Sequence, residues 1–464
     1  ARIPNNRSEK NRSEMKGLVS KYNLNRGQGN LIMPVGMLPS RPYPKFGVDH
    51  RACEAGEPGM RAVLESAKLT CFRCLRSRGL HLIFISRKTT KSMKAIANQG
   101  MLTRFNQTSA VQSTSSAPRN SKVTHWTIAA PFIHDLEQDG QWLAPYVLGD
   151  RYHFNITPRP KPLRSWHHQS SILTHCAEWA AYLRHGKDAA QATDGGVITV
   201  FPQLASAVGM YQQLSGRQIP IVAWLFNVGT CQGGLRRWAA RASLQHVNRF
   251  VVHTRRECDM YSQWLGLPKE RFVFFPYQVG DIPVTYEENT TQPFIAAIGS
   301  AHRDFPTLFQ AVETLKLPTV VASGSRALTG LQLPVQVQAP LGLVKQDCLR
   351  LAQEARINIV PMKTNDHITA AGQVTIVEAM RMGRVVIASR CNGAEDYIIH
   401  GETGLLVEPG SPQALIRAIE RLWDDPQLRN KIGHNAKNYA AQHFSDEAAG
   451  AALQSVLDDV GLMP

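Results

Sequence analysis

From Val123 onward, short β-branched runs alternate with stretches of helical periodicity, and that alternation restricts the chain to parallel sheets built from βα units. Runs at 124–132, 151–157, 196–201, 219–226, 249–254 and 271–276 read as strands. The stretches between them read as helices closing on Gly186, Gly216 and Gly266, because glycine tolerates the left-handed residue that ends a helix. A polar, proline-bounded segment, 279–293, reads as a connection. A second series follows, with strands at 294–300, 318–323, 335–339, 357–361 and 384–389 and helices from about Pro306, Lys345 and Gln373. The architecture expected is α/β: two doubly wound, Rossmann-like domains, 123–280 and 281–445, facing across a cleft. A final segment, 446–464, reads as a helix with Ser445 as its N-cap that crosses back to the first domain.

Residues 1–122 carry 22 basic and 6 acidic side chains, against 30 of each in the rest. The net charge of +16 therefore lies wholly in this leader, and the neutral remainder gives no electrostatic case for nucleic-acid binding. The leader reads as a basic, weakly ordered tail ending in the linker TSAVQSTSSAPRNSK, with one structured stretch around Leu80–Ile85. A peripheral membrane contact is the partner it admits. No run approaches 18 apolar residues, so no spanning helix is expected, and the absence of an apolar signal core points to the cytoplasm. Eight cysteines without paired spacings fit a reducing compartment, and Cys71-Phe-Arg-Cys74 lacks a second ligand pair.

The chemistry concentrates in AGQVTIVEAM, Ala371–Met380. A helix opening at Gly372 lets backbone approach a ligand closely. The free N–H groups of its first turn and its dipole favour an anion, which a diphosphate satisfies. Glu378 lies six residues further, about 9 Å along the axis, roughly the span from a β-phosphate to the ribose of one nucleotide. Spacing alone leaves two readings of Glu378 open, a ribose-binding carboxylate or a solvated helix glutamate.

The block Gly372–Gly410 resembles the nucleotide-sugar half of the retaining glycosyltransferases of family 4, of the group 1 type and the GT-B fold. Their pattern G-x-x-x-x-E-A-M-A-x-G-x-P-V-I-A-S, then G-x-x-E-x-I-x-x-G-x-x-G-x-L-V, is largely present. Gly372 stands one position early, Val385 replaces the proline, and Asp396 replaces the second glutamate. The similarity covers Phe294–Phe444 and extends loosely back to Val123.

The resemblance implies that Glu378 binds ribose and that Gly372, Gln373, Val374 and Thr375 present the diphosphate-binding turn. Gly299 then opens the first loop of the second domain, and Arg303 stands where the family commonly has lysine on the donor phosphates. Gly393, Asp396, Gly401 and Gly404 are architectural in this reading. The arginine the family often places after that glycine is absent, since Ser300 follows Gly299; Lys363, Arg236 and Arg237 are the alternative sources of charge. The family's first glutamate, eight positions before the second, falls on Ala370, so contact with the donor sugar passes to Asn365, Asp366 or His367. In the N-terminal domain, Asn227 stands near the family's histidine, and His253 reads as structural.

What the resemblance implies is a hexosyltransferase that moves sugar from a UDP- or GDP-sugar to a glycan or lipid-linked acceptor, as in polysaccharide biosynthesis. No cofactor or metal is expected, because the chain has no D-x-D; helix dipole and Arg303 stabilise the leaving diphosphate instead. Two other readings stay open: a catalytically silent sugar-nucleotide-binding protein, motivated by Ala370 and Ser300, and a GT-B epimerase or phosphorylase.

Overall fold

A computed structural model describes residues 124–136, 140–159 and 172–461; the stretch Leu80–Ile85 lies outside them. The N-terminal domain runs β1 (Thr124–Ala129), β2 (Tyr152–Ile156), α1 (Ile172–Gln191), β3 (Gly196–Val200), α2 (Pro202–Ser215), β4 (Ile221–Trp224), α3 (Gly234–Leu244), β5 (Arg249–Val252), α4 (Arg255–Leu265) and β6 (Phe272–Phe274). Its six strands are parallel in the order β2-β1-β3-β4-β5-β6.

Alternate residues of each strand feed two cores, as the period of two demands. Val197, Ile221, Ala223 and Phe250 pack under α1, α2 and α4, whereas Ile198, Val222, Trp224 and Val251 face the other way. That second face is covered by a helix from the far end of the chain, described below.

The C-terminal domain comprises β7 (Ile295–Ile298), α5 (Phe305–Leu315), β8 (Thr319–Ala322), α6 (Ser325–Leu328), β9 (Val337–Gln338), α7 (Lys345–Glu354), β10 (Ile357–Val360), α8 (Gln373–Arg381), β11 (Val386–Ser389), β12 (Leu405–Val407), α9 (Pro412–Trp423) and α10 (Pro426–His443). The strand order is β12-β11-β10-β7-β8-β9, again all parallel. Order reverses between β7 and β10, so the crevice at their carboxyl ends is the topological switch point where doubly wound sheets bind ligands. Helix α11 (Asp446–Gly461) then returns to the N-terminal sheet. Its Ala449, Leu453, Leu457 and Val460 complete the core around Trp126, Ile128 and Trp224. Asp458 accepts a 2.5 Å hydrogen bond from Tyr152, and Arg249 pairs with Asp459 at 2.6 Å.

Several expected boundaries move. Strands are shorter than the β-branched runs, which lose residues at either end. Gly186 does not end its helix, which continues to Gln191. A Cβ at Gly186 would sit 2.8 Å from that of Ala207, so this glycine serves the close crossing of α1 and α2. Gly216 and Gly266 do cap α2 and α4 in the left-handed conformation. The glycine-rich segment after β4 gives way to α3 at Gly234.

Candidate functional site

The switch-point crevice is built from two loops laced together. After β7 the chain turns through Gly299, at φ +106°, into Arg303. Arg303 forms an isolated antiparallel bridge with Met362, just after β10. On either side, Lys363 N donates to His302 O at 2.9 Å and Asp304 N donates to Pro361 O at 2.9 Å.

Arg303 is only 6% exposed. Its guanidinium donates to the carbonyls of Ile298 (3.0 and 3.1 Å) and Ala301 (3.2 Å) and to Thr375 Oγ1 (3.1 Å), and it lies 2.9 Å from Met362 Sδ. A Cβ at position 299 would drive into Nη2, which is why glycine stands there. Among the described residues no carboxylate forms an ion pair with Arg303, and burial pulls its pKa down to about 10. A buried cation without a counterion favours an incoming anion.

Thr375, which Arg303 touches, belongs to the first turn of α8. Gly372 precedes that helix at φ +96°, and a Cβ there would press on Val360 and Met362. The first-turn amides of α8 have no intrahelical acceptor. Gln373 is buried and its side chain donates to Asn392 O at 2.7 Å, so its contribution to a ligand is its backbone. Val374 and Thr375 are half-buried. The structure thus brings Gly299, Arg303, Gly372, Gln373, Val374 and Thr375 to one end of one crevice.

Glu378 follows on the same helix with its side chain 13% exposed. Its carboxylate pairs with Lys345, the first residue of α7. Burial raises its pKa, and the Lys345 charge opposes that rise. The solvated helix glutamate is therefore not what stands here, because this carboxylate is largely enclosed and has a cationic partner. Lys345 had no motif to mark it.

Asn365, Asp366 and His367 lie exposed in the loop before α8, where Asn365 Oδ1 accepts from His367 N at 2.8 Å. Lys363 is exposed beside them. Arg236 and Arg237 make their bonds within the N-terminal domain, to Gln232 and to the carbonyls of Gln263 and Trp264.

From residue 367 to 370 the loop is clasped by the N-terminal domain. Thr230 bridges Ile368 antiparallel, and Cys231 N donates to His367 O at 3.0 Å. Asn227 Nδ2 donates to Ala370 O at 2.9 Å, and Asn227 Oδ1 accepts from Thr369 Oγ1 at 2.7 Å. Glu257 of α4 accepts from Ala370 N at 3.0 Å. A second seam lies alongside: Asp396 accepts from Arg255 N at 2.8 Å, and Tyr397 OH donates to His253 O at 2.7 Å. Asn227 and Asp396 thus join the domains. Glu257 carried no motif, and its one signal was a glutamate on the apolar face of a helix, in step with Cys258, Tyr261 and Leu265.

The architecture is the GT-B fold. Sucrose-phosphate synthase from Thermosynechococcus elongatus superposes with a TM-score of 0.54 at 15% identity, over 73% of this chain and 99% of that one. HepE of Anabaena in complex with UDP-glucose gives 0.51 at 15%, over 72% and 99%. Residues 326–439 match the family model "Glycosyl transferases group 1". The alpha-D-kanosaminyltransferase of Streptomyces kanamyceticus is 37% identical over 89 residues, 19% of this chain and 23% of that protein. The capsular polysaccharide biosynthesis glycosyltransferase CapM of Staphylococcus aureus is 37% identical over 90 residues, with the same shares. The matched stretch thus spans about a quarter of the length of these curated relatives.

Proposed function

We propose that the chain is a glycosyltransferase that takes a hexose-type sugar from a UDP- or GDP-sugar, with retention and without a metal, and delivers it to a glycan or lipid-linked acceptor. The observation that carries this reading is the meeting of Arg303 with the first turn of α8 at the switch point, with Glu378 further along the same helix. In the transfer, the bond between the anomeric carbon and the diphosphate oxygen breaks, and the acceptor hydroxyl bonds to that carbon from the same face. Its proton passes to the leaving phosphate. The charge that grows on the diphosphate meets the helix amides and the buried guanidinium, the kind of fixed donors that stabilise a developing anion. Glu378 holds the ribose hydroxyls, and Asn365, Asp366 and His367 are placed to meet the sugar. The relatives named as glycosyltransferases and the GT-B neighbour solved with UDP-glucose support this assignment.

A peripheral membrane contact belongs to the same proposal and is supported by the exposed face of α3. No helix among the described residues is long and apolar enough to cross a membrane.

The test is calorimetric titration with UDP and GDP in parallel, followed by assay of sugar release from UDP-glucose, UDP-N-acetylglucosamine and GDP-mannose. One diphosphate should bind, and Glu378→Ala should weaken it by about 1–3 kcal/mol through lost charged hydrogen bonds. Unchanged affinity in that variant removes the ribose assignment. Binding without any sugar release from any donor favours the silent sugar-nucleotide-binding protein.

A further inference from the structure

We infer that Glu257, in the N-terminal domain, is a positioning residue of the diphosphate site on the opposite domain. The inference rests on the proposed nucleotide site and adds to it the part that sets its geometry.

Glu257 is fully buried in the first turn of α4. Its Oε1 accepts from Ala370 N and from Tyr261 OH, each at 3.0 Å, and its Oε2 accepts from His253 N at 3.0 Å. Among the described residues it has no ion-pair partner, so these donors alone stand against the cost of burying a carboxylate. Tyr261 OH in turn accepts from Val228 N at 3.1 Å. One carboxylate therefore ties the loop after β4, the end of β5 and the segment leading into α8.

A purely local role, tying the start of α4 to the end of β5, is met by the bond to His253 N alone. That role gives no reason for the bond to Ala370 N, which crosses to the other domain. Ala370 lies two residues before Gly372, whose left-handed φ aims the first turn of α8. Asn227 grips the carbonyl of the same residue, so both polar groups of Ala370 are held from across the interface.

The α8 amides face the terminal phosphate of a nucleoside diphosphate, while Glu378 holds the ribose independently of the clasp. Glu257→Gln should therefore weaken UDP or GDP about tenfold, a change of ordinary size for one charged hydrogen bond, and leave UMP or GMP within about twofold. Asn227→Ala, which leaves the tie from α4 to β5 intact, should narrow the same diphosphate-to-monophosphate ratio, and it decides the question if Glu257→Gln does not fold. A lowered melting temperature with an unchanged ratio in these variants reduces Glu257 to that local tie and overturns the inference. A wild-type protein that binds neither UDP nor GDP overturns the proposed site itself, a result separable from the first because it appears before any substitution.

Discussion

Arg303 and His253 show what burial does to single residues. Arg303 keeps its charge although burial lowers its pKa, because about 10 is still far above neutrality. Its carbonyl contacts hold it in place. His253 moves the other way and stays neutral. Nδ1 donates to Phe275 O at 3.0 Å, Nε2 is buried without a partner among the described residues, and the ring meets Tyr277 edge-on at 5.7 Å. Protonation would place a charge in that apolar contact, so burial lowers the pKa to about 4.

The folded pKa of His253 lies below the ordinary value near 6.5, so between those limits the unfolded chain binds the extra proton. Stability should accordingly fall as pH drops from 6.5 towards 4, by up to about 3 kcal/mol, and this contribution should level off below. Denaturant midpoints at pH 7 and pH 4.5, compared between wild type and His253→Asn, isolate the effect. Glu257 and His185 titrate in both proteins and cancel in the comparison. Equal slopes would show that His253 is not the group responsible.

Among elements, α3 sets large exposed apolar side chains beside basic ones. Leu235 is 77% and Trp238 67% exposed, one turn apart on a helix that carries Arg236, Arg237 and Arg241 and no acid. Basic amphipathic faces of this kind bind anionic headgroups. Vesicles containing phosphatidylglycerol should sediment the protein and pure phosphatidylcholine vesicles should not. Leu235→Ser with Trp238→Ser should abolish the co-sedimentation, and retention by the double variant would exclude α3 as the contact.

The same helix marks a limit of the sequence. Most strands of the two sheets were legible as β-branched runs whose interior positions alternate between two cores, but β12, Leu-Leu-Val, was not expected as a strand. In the crevice, the opening of α8 was legible from Gly372 and the periodic run behind it, whereas spacing alone left two readings of Glu378 open. The start of α3 was not legible, since Gly233 and Gly234 stand at its head and its large apolar residues, Leu235 and Trp238, face outward and not into the core. The bonds that join Lys345, Asn227 and Glu257 to the crevice reach partners 33, 143 and 113 residues away, and no local pattern encodes such pairs.

Across the whole molecule, the N-terminal domain depends on the end of the chain. Leu453 and Leu457 are fully buried against Trp126, Ile128 and Trp224. Leu457→Ala should destabilise by about 2–5 kcal/mol, the cost of a cavity in a packed core, and should move the unfolding transition seen by the buried tryptophans. A shift under about 0.5 kcal/mol would mean that α11 rests on the sheet without completing its core. Helix α11 also sets a timetable for biosynthesis. Tyr152 meets Asp458 only after 306 further residues have been made, roughly 15–60 s at ordinary translation rates. For that interval the nascent sheet presents a bare apolar face, and a cell making this protein must keep that face from aggregating until the last helix arrives.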